Sequence, residues 1–76
     1  LAYPNPASDH LTLKVIDDNI ENLSYQLYDI TGKLLKSNKL TGSETLISMS
    51  KFVPAVYFLK IKDNQKEVKI FKIIKN

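Results

Sequence analysis

Ser8, Asp9 and His10 stand in a row, and a serine, a carboxylate and an imidazole are the ingredients of nucleophilic catalysis. A working triad is assembled in space from separated segments, however, and three consecutive strand residues alternate in direction and cannot all meet. His10 is the only histidine and there is no cysteine, so a metal site has no second soft ligand to draw on. Asp17 and Asp18 form a paired carboxylate within the acidic stretch DDNIEN, but the glycine and closing glutamate of a calcium-binding loop are missing. Lys66, Lys69, Lys72 and Lys75 recur every third residue near the end of the chain. They predict either a positive stripe or an exposed strand edge suited to pairing with another protein. Four tyrosines and three phenylalanines are enough to line a sugar-binding face, although strands also favour aromatics for packing. Asn22-Leu23-Ser24 has the form of a glycosylation sequon. With no nucleophile beside a base and no phosphate-cradling loop, the chain reads as non-catalytic, with no cofactor and no metal.

The composition narrows the class further. At 76 residues, with 43% hydrophobic and 25% charged, it is that of a small folded unit, and residues 1–76 are expected to form one domain. A chain of this length buries only roughly 60% of the surface its unfolded form exposes, so the core must be small. No apolar run approaches the roughly 20 residues of a membrane-spanning helix. The net charge of +3 comes from eleven lysines and no arginine against eight acidic residues. Nucleic-acid binders cluster positive charge and favour arginine's bidentate fork, whereas these lysines mostly alternate with apolar residues, so no nucleic-acid partner is expected. The chain opens at Leu1 without a basic leader or an apolar stretch behind it, and is read as a fragment of a longer protein.

The elements that must position these residues are short strands. Tyr25 to Leu35, YQLYDITGKLL, is a hairpin signature. Its closure is expected as a type I turn over Ile30 and Thr31, with Asp29 first and Gly32 left-handed. That loop would set Leu27 opposite Leu35 and Tyr28 opposite Leu34, placing apolar side chains on both faces as in strands inside a packed structure. Upstream, LAYPNPAS should run extended along the fold, because proline fixes φ and extends the residue before it. His10 to Ile16 alternates as a half-buried strand, with Leu11, Leu13 and Val15 inward. Residues 17–22 form a loop with at most one helical turn. Lys33 to Lys39 suits a sheet edge, where lysine discourages foreign pairing. Leu40 to Ser43 turns the chain into a strand from Glu44 to Ser50, with Thr45, Ile47 and Met49 on one face. After the break Phe52 to Ala55, Val56 to Lys62 puts Tyr57, Leu59 and Ile61 on one side, and Asp63 to Lys66 turns with Asn64 as the residue that tolerates positive φ. The final strand, Val68 to Lys75, changes phase, which either a bulge near Phe71 or burial of both faces would reconcile. Six or seven such strands without a convincing helix imply a small antiparallel, immunoglobulin-like β-sandwich, with a small barrel as the alternative.

The order of YPNP (Tyr3 to Pro6), HLTLKV, LYDITGKLL (Leu27 to Leu35), VYFLKI (Val56 to Ile61) and the lysine-studded ending KIIKN resembles the type A C-terminal sorting domain of the type IX secretion system of Bacteroidota. The resemblance covers essentially the whole chain. It implies an immunoglobulin-like sandwich at the end of secreted cargo, with the cargo as the N-terminal part of the same chain. It also implies passage through the periplasm to the cell surface or beyond, by way of an outer-membrane translocon with its shuttle proteins. A sortase would then cut upstream of the domain and join the cargo to an anionic lipopolysaccharide. Position by position, Pro4, Asn5 and Pro6 match the family's opening motif, and Asp29, Gly32 and Lys33 its hairpin motif. Tyr57 matches the tyrosine of a Gly-x-Tyr motif, and Lys72 and Lys75 match its basic last strand. On this resemblance Tyr57, Lys69, Lys72 and Lys75 are the residues expected to be read by the translocon, while Pro4, Asn5, Pro6, Asp29 and Gly32 are structural. Ala55 stands where the family has glycine; a positive φ there would cost alanine about 1–2 kcal/mol. The alternative function is a non-catalytic adhesion or carbohydrate-binding module using exposed aromatics.

Overall fold

The computed structural model describes residues 1–16 and 20–76, so Asp17 and Asp18, considered above as a carboxylate pair, lie outside the described residues. Among the described residues seven strands build two antiparallel sheets: β1 (Ala2–Tyr3), β2 (His10–Lys14), β3 (Leu23–Asp29), β4 (Leu34–Lys39), β5 (Glu44–Ser48), β6 (Ala55–Asp63) and β7 (Lys66–Lys75). The one helical element among the described residues is the single 3₁₀ turn Ile20–Asn22 ahead of β3. One sheet has the order β1-β2-β5 and the other β4-β3-β6-β7, so the chain passes between layers before β3, β5 and β6. This is the three-plus-four arrangement of an immunoglobulin-like sandwich.

Alternation explains the core. Leu11 and Leu13 of β2 and Thr45 and Ile47 of β5 face Leu23, Tyr25 and Leu27 of β3 and Tyr57, Leu59 and Ile61 of β6, and all are buried. Each fully buried leucine or isoleucine contributes about 1.5–3 kcal/mol relative to an exposed one. Thr45, the polar member, is satisfied by the Thr41 N–H, which donates to its Oγ1 at 3.2 Å. Met49 continues the inward face of β5 past its last ladder pair, as its position in the alternation predicts.

The hairpin turn closes as the sequence predicts. The Gly32 N–H donates to the Asp29 carbonyl at 3.0 Å, and Gly32 has φ of 90°. The pairing above it differs from expectation: Tyr28 does face Leu34, but Leu27 faces Lys36, with a register shift between them. Leu35 is the additional residue, and it packs against the core. Leu34 points out and is 46% exposed. A two-layer sandwich covers one face of each sheet only, so the hairpin is not buried on both faces; β4 is an edge strand, as its lysines suggest.

The last strand also resolves differently from expectation. Ile61 faces Lys69 while Lys62 faces Glu67, so the bulge falls at Val68 rather than near Phe71. Beyond it, Phe71 and Ile73 point inward, and Ile70 and Ile74 lie on the outer face, 48% and 42% exposed. Asn64 takes φ of 55° in the turn before β7, as its residue type predicts. Ala55 is absent from the positive-φ residues, so alanine carries no left-handed penalty there.

Gly32→Ala is expected to destabilise the fold by about 1–2 kcal/mol, since an added Cβ meets open space and only the positive φ opposes it. Gly42 has equally open surroundings without a positive φ, and Gly42→Ala should stay within about 0.5 kcal/mol of the parent. Urea denaturation of both variants checks the contrast; equal losses would show that backbone handedness does not hold the hairpin.

Candidate functional site

The 3+4 order leaves β7 as an edge of the larger sheet, and the N-terminal segment covers half of that edge. Pro4 and Pro6 have no N–H to donate, so PNP cannot pair as an ordinary strand. The Asn5 side chain substitutes for the missing backbone groups. Its Nδ2 donates to the Lys72 carbonyl at 3.0 Å and its Oδ1 accepts from the Ile74 N–H at 2.9 Å. Ala7 then joins in parallel: its N–H donates to the Ile74 carbonyl at 2.7 Å and its carbonyl accepts from the Asn76 N–H at 2.9 Å. The segment thus leaves β2's sheet, where Ala2 and Tyr3 pair with Leu13 and Thr12, and ends on the other. Pro4 and Pro6 each follow a cis peptide bond.

Toward the Asn64 turn no described residue is paired with the edge. Backbone groups alternate in an antiparallel strand, and those of Lys72 (C=O) and Ile74 point away from β6. The N–H and C=O of Ile70 and the N–H of Lys72 therefore face outward as well. Tyr57, Lys69, Lys72 and Lys75 distribute themselves unevenly around this edge. Tyr57 is 3% exposed, its ring packs on Phe52 with centroids 5.8 Å apart, and its hydroxyl donates to the Val53 carbonyl. It fixes the Phe52–Ala55 turn from within. The lysines do not form one stripe, because a strand repeats every second residue and not every third. Register puts Lys69 and Lys75 on the inner parity, opposite Ile61 and Ala55, and Lys72 on the outer parity, opposite Phe58. The Lys69 ammonium lies 5.1 Å from the centroid of the Phe71 ring.

Asp29, Gly32 and Lys33 are brought together as a structural knot. Asp29 Oδ1 accepts from the Thr31 hydroxyl at 2.6 Å, the Thr31 N–H at 2.9 Å and the Lys33 N–H at 3.0 Å. The Thr31 hydroxyl, and next the Lys33 N–H, hold the Asp29 carboxyl below its ordinary value of 3.8.

Ser8, Asp9 and His10 are all exposed. The described residues contain no group of His, Asp or Glu able to hold a metal ion. The apolar groove between the open sheet edges, lined by Leu1, Val15, Ile61 and Phe71 with Lys14 and Lys69, gathers no acid–base pair. The Asn5 clamp is the feature sequence reading missed. A donor and acceptor held between two residues that lack N–H groups was its available signal.

Comparison with known proteins supplies the context. The family of secretion system C-terminal sorting domains matches residues 1–76. A funoran endo-beta-hydrolase of Wenyingzhuangia aestuarii is 29% identical over 68 residues, which are 90% of this chain and 9% of that protein. The chain thus spans a small part of the relative it matches. No solved structure matches it.

Two outcomes test the knots. Asn5→Ala should cost about 1–2 kcal/mol from two lost hydrogen bonds, and hydrogen exchange at the Ile74 amide should accelerate; an unchanged Ile74 rate would rule the clamp out. Asp29 has a depressed folded-state pKa, so its stabilisation is complete above the ordinary value of 3.8 and is lost as pH falls through the lower folded value. Asp29→Asn should be less stable than the parent at neutral pH and should lose less on acidification, as measured by denaturant titrations between about pH 7 and pH 2.

Proposed function

The chain belongs to the family of type IX secretion C-terminal sorting domains, non-catalytic tails of larger proteins bound for the cell surface or beyond, and from that premise we propose that residues 1–76 act as one unit that the outer-membrane translocon and its shuttle proteins read in folded form. The observation that carries this reading is the half-open edge of β7. The Ile70 N–H and C=O and the Lys72 N–H, which no described residue pairs, suit the addition of a strand from a receptor, and Lys69, Lys72 and Lys75 border the edge on both faces. Main-chain pairing supplies affinity in such an addition, and the flanking charges set register and approach. Tyr57 takes part from inside, by holding the turn that starts β6, while Pro4, Asn5 and Pro6 confine the open part of the edge to the Lys66–Lys72 side. After transit a sortase cuts ahead of the unit and transfers the cargo to an anionic lipopolysaccharide. The sorting unit itself makes and breaks no bond.

The test is a periplasm-directed reporter carrying residues 1–76, expressed in a bacterium with a type IX system. Export to the medium or surface is expected for the parent, with retention in the periplasm after deletion of Gln65 to Asn76. Lys69→Glu with Lys75→Glu, which leaves every core residue in place, should lower export while the melting temperature stays near the parent's. Undiminished secretion of the deletion would overturn the reading.

A further inference from the structure

The outer face of the four-stranded sheet is organised in a way that the edge does not require. Register lines up Leu34, Tyr28, Phe58 and Lys72 as one row across all four strands. Val56 and Ile74 pair beside that row on one side, and Ile70 pairs with Lys60 on the other. Strand positions facing solvent are ordinarily polar, yet this row carries two aromatic rings, both half-buried, and a leucine that is 46% exposed. A shallow depression of about 350 Å³ opens along it, lined by Tyr28, Phe58, Lys60 and Ile70 with Asp29, Ile30 and Gly32 at the hairpin turn.

Charge surrounds the apolar row. Lys39, Lys60, Lys62 and Lys72 share this face with Glu67 as the acidic residue of its ladder. Lys60 is engaged within the face, 3.6 Å from Glu67 and 4.9 Å from the centroid of the Tyr28 ring. Lys39, Lys62 and Lys72 make up the rim. An apolar centre with a charged rim is the anatomy of a protein-binding surface.

We propose that this face is a second docking surface, and that its occupant is a protein with an apolar centre and an Asp/Glu-rich rim, met during export; for that setting alone the inference rests on the sorting reading. Charge complementarity selects this occupant, since a second copy of the chain would set lysine rim against lysine rim. Size selects a transient one. Four strands about 4.8 Å apart and seven residues of about 3.3 Å each give roughly 440 Å² of face, about half of what one partner contributes to a standard stable interface. The surface shares Lys72 with the β7 edge but extends beyond it, since Leu34 lies three strand spacings, about 14 Å, from β7.

Placing the photoreactive residue benzoylphenylalanine at Leu34 tests this, in the reporter fusion and in export-competent cells. A partner paired only with the β7 edge does not reach that position. The expected result is a protease-sensitive adduct whose mapped peptide is rich in Asp and Glu, reduced on the order of tenfold by Lys39→Glu with Lys62→Glu. Both lysines lie outside the core, and a melting curve confirms that the variant is folded. Absence of an adduct, an adduct with a second copy of the chain, a protease-resistant glycan adduct, or one insensitive to charge reversal would each overturn the proposal. Export of the parent fusion, scored in the same cells, reports separately on the sorting reading.

Discussion

The ladder between β3 and β6 is the constraint on which the rest of this structure depends. It runs without a break from Leu23 opposite Asp63 to Asp29 opposite Tyr57. Because side chains on a strand alternate, this one register decides which residues of both central strands enter the core and which face water. Leu23, Tyr25 and Leu27 go in together with Leu59 and Ile61; Ser24, Gln26 and Tyr28 go out with Phe58, Lys60 and Lys62. A slip of one residue would exchange the two sets. Both neighbours of this pair carry a bulge, at Leu35 in β4 and at Val68 in β7, so irregularity is confined to the edges while the centre keeps its register.

The edges are treated differently. β4 presents Lys36, Ser37, Asn38 and Lys39, a polar border of the kind that discourages unplanned pairing. β7 is capped along part of its length by residues 5–7, and along the rest no described residue pairs with it. That asymmetry leaves the two edges of one sheet with different chemistry, one bordered by polar side chains and the other clamped through backbone groups.

Much of this was legible in the chain where two signals agreed. Clean alternation in LTL, TLI and YFLKI identified the inward residues correctly, and Gly32 and Asn64 marked the left-handed turn positions. Reading became ambiguous where apolar residues sit side by side. Leu34-Leu35 and the run Val68 to Ile74 supply apolar residues to both parities, and only the cross-strand partner decides which one turns inward. The lysine spacing of three suggested a stripe because it is regular, yet no β-strand repeats at that interval, and register divides those residues between two faces. Asn5 was hardest to see. Its partners, Lys72 and Ile74, are remote in sequence, and nothing local to PNP announces them.

That remoteness bears on when the fold can be completed. The Asn5 contacts span 67 and 69 residues, and loop-closure entropy is paid before such contacts return anything. Ile73, fully buried, also comes from the last strand. During synthesis the N-terminal segment therefore emerges long before the strand it must lie against exists. The sandwich gains this edge, its clamp and part of its core only with β7, and without β7 neither the Asn5 clamp nor the buried site of Ile73 exists.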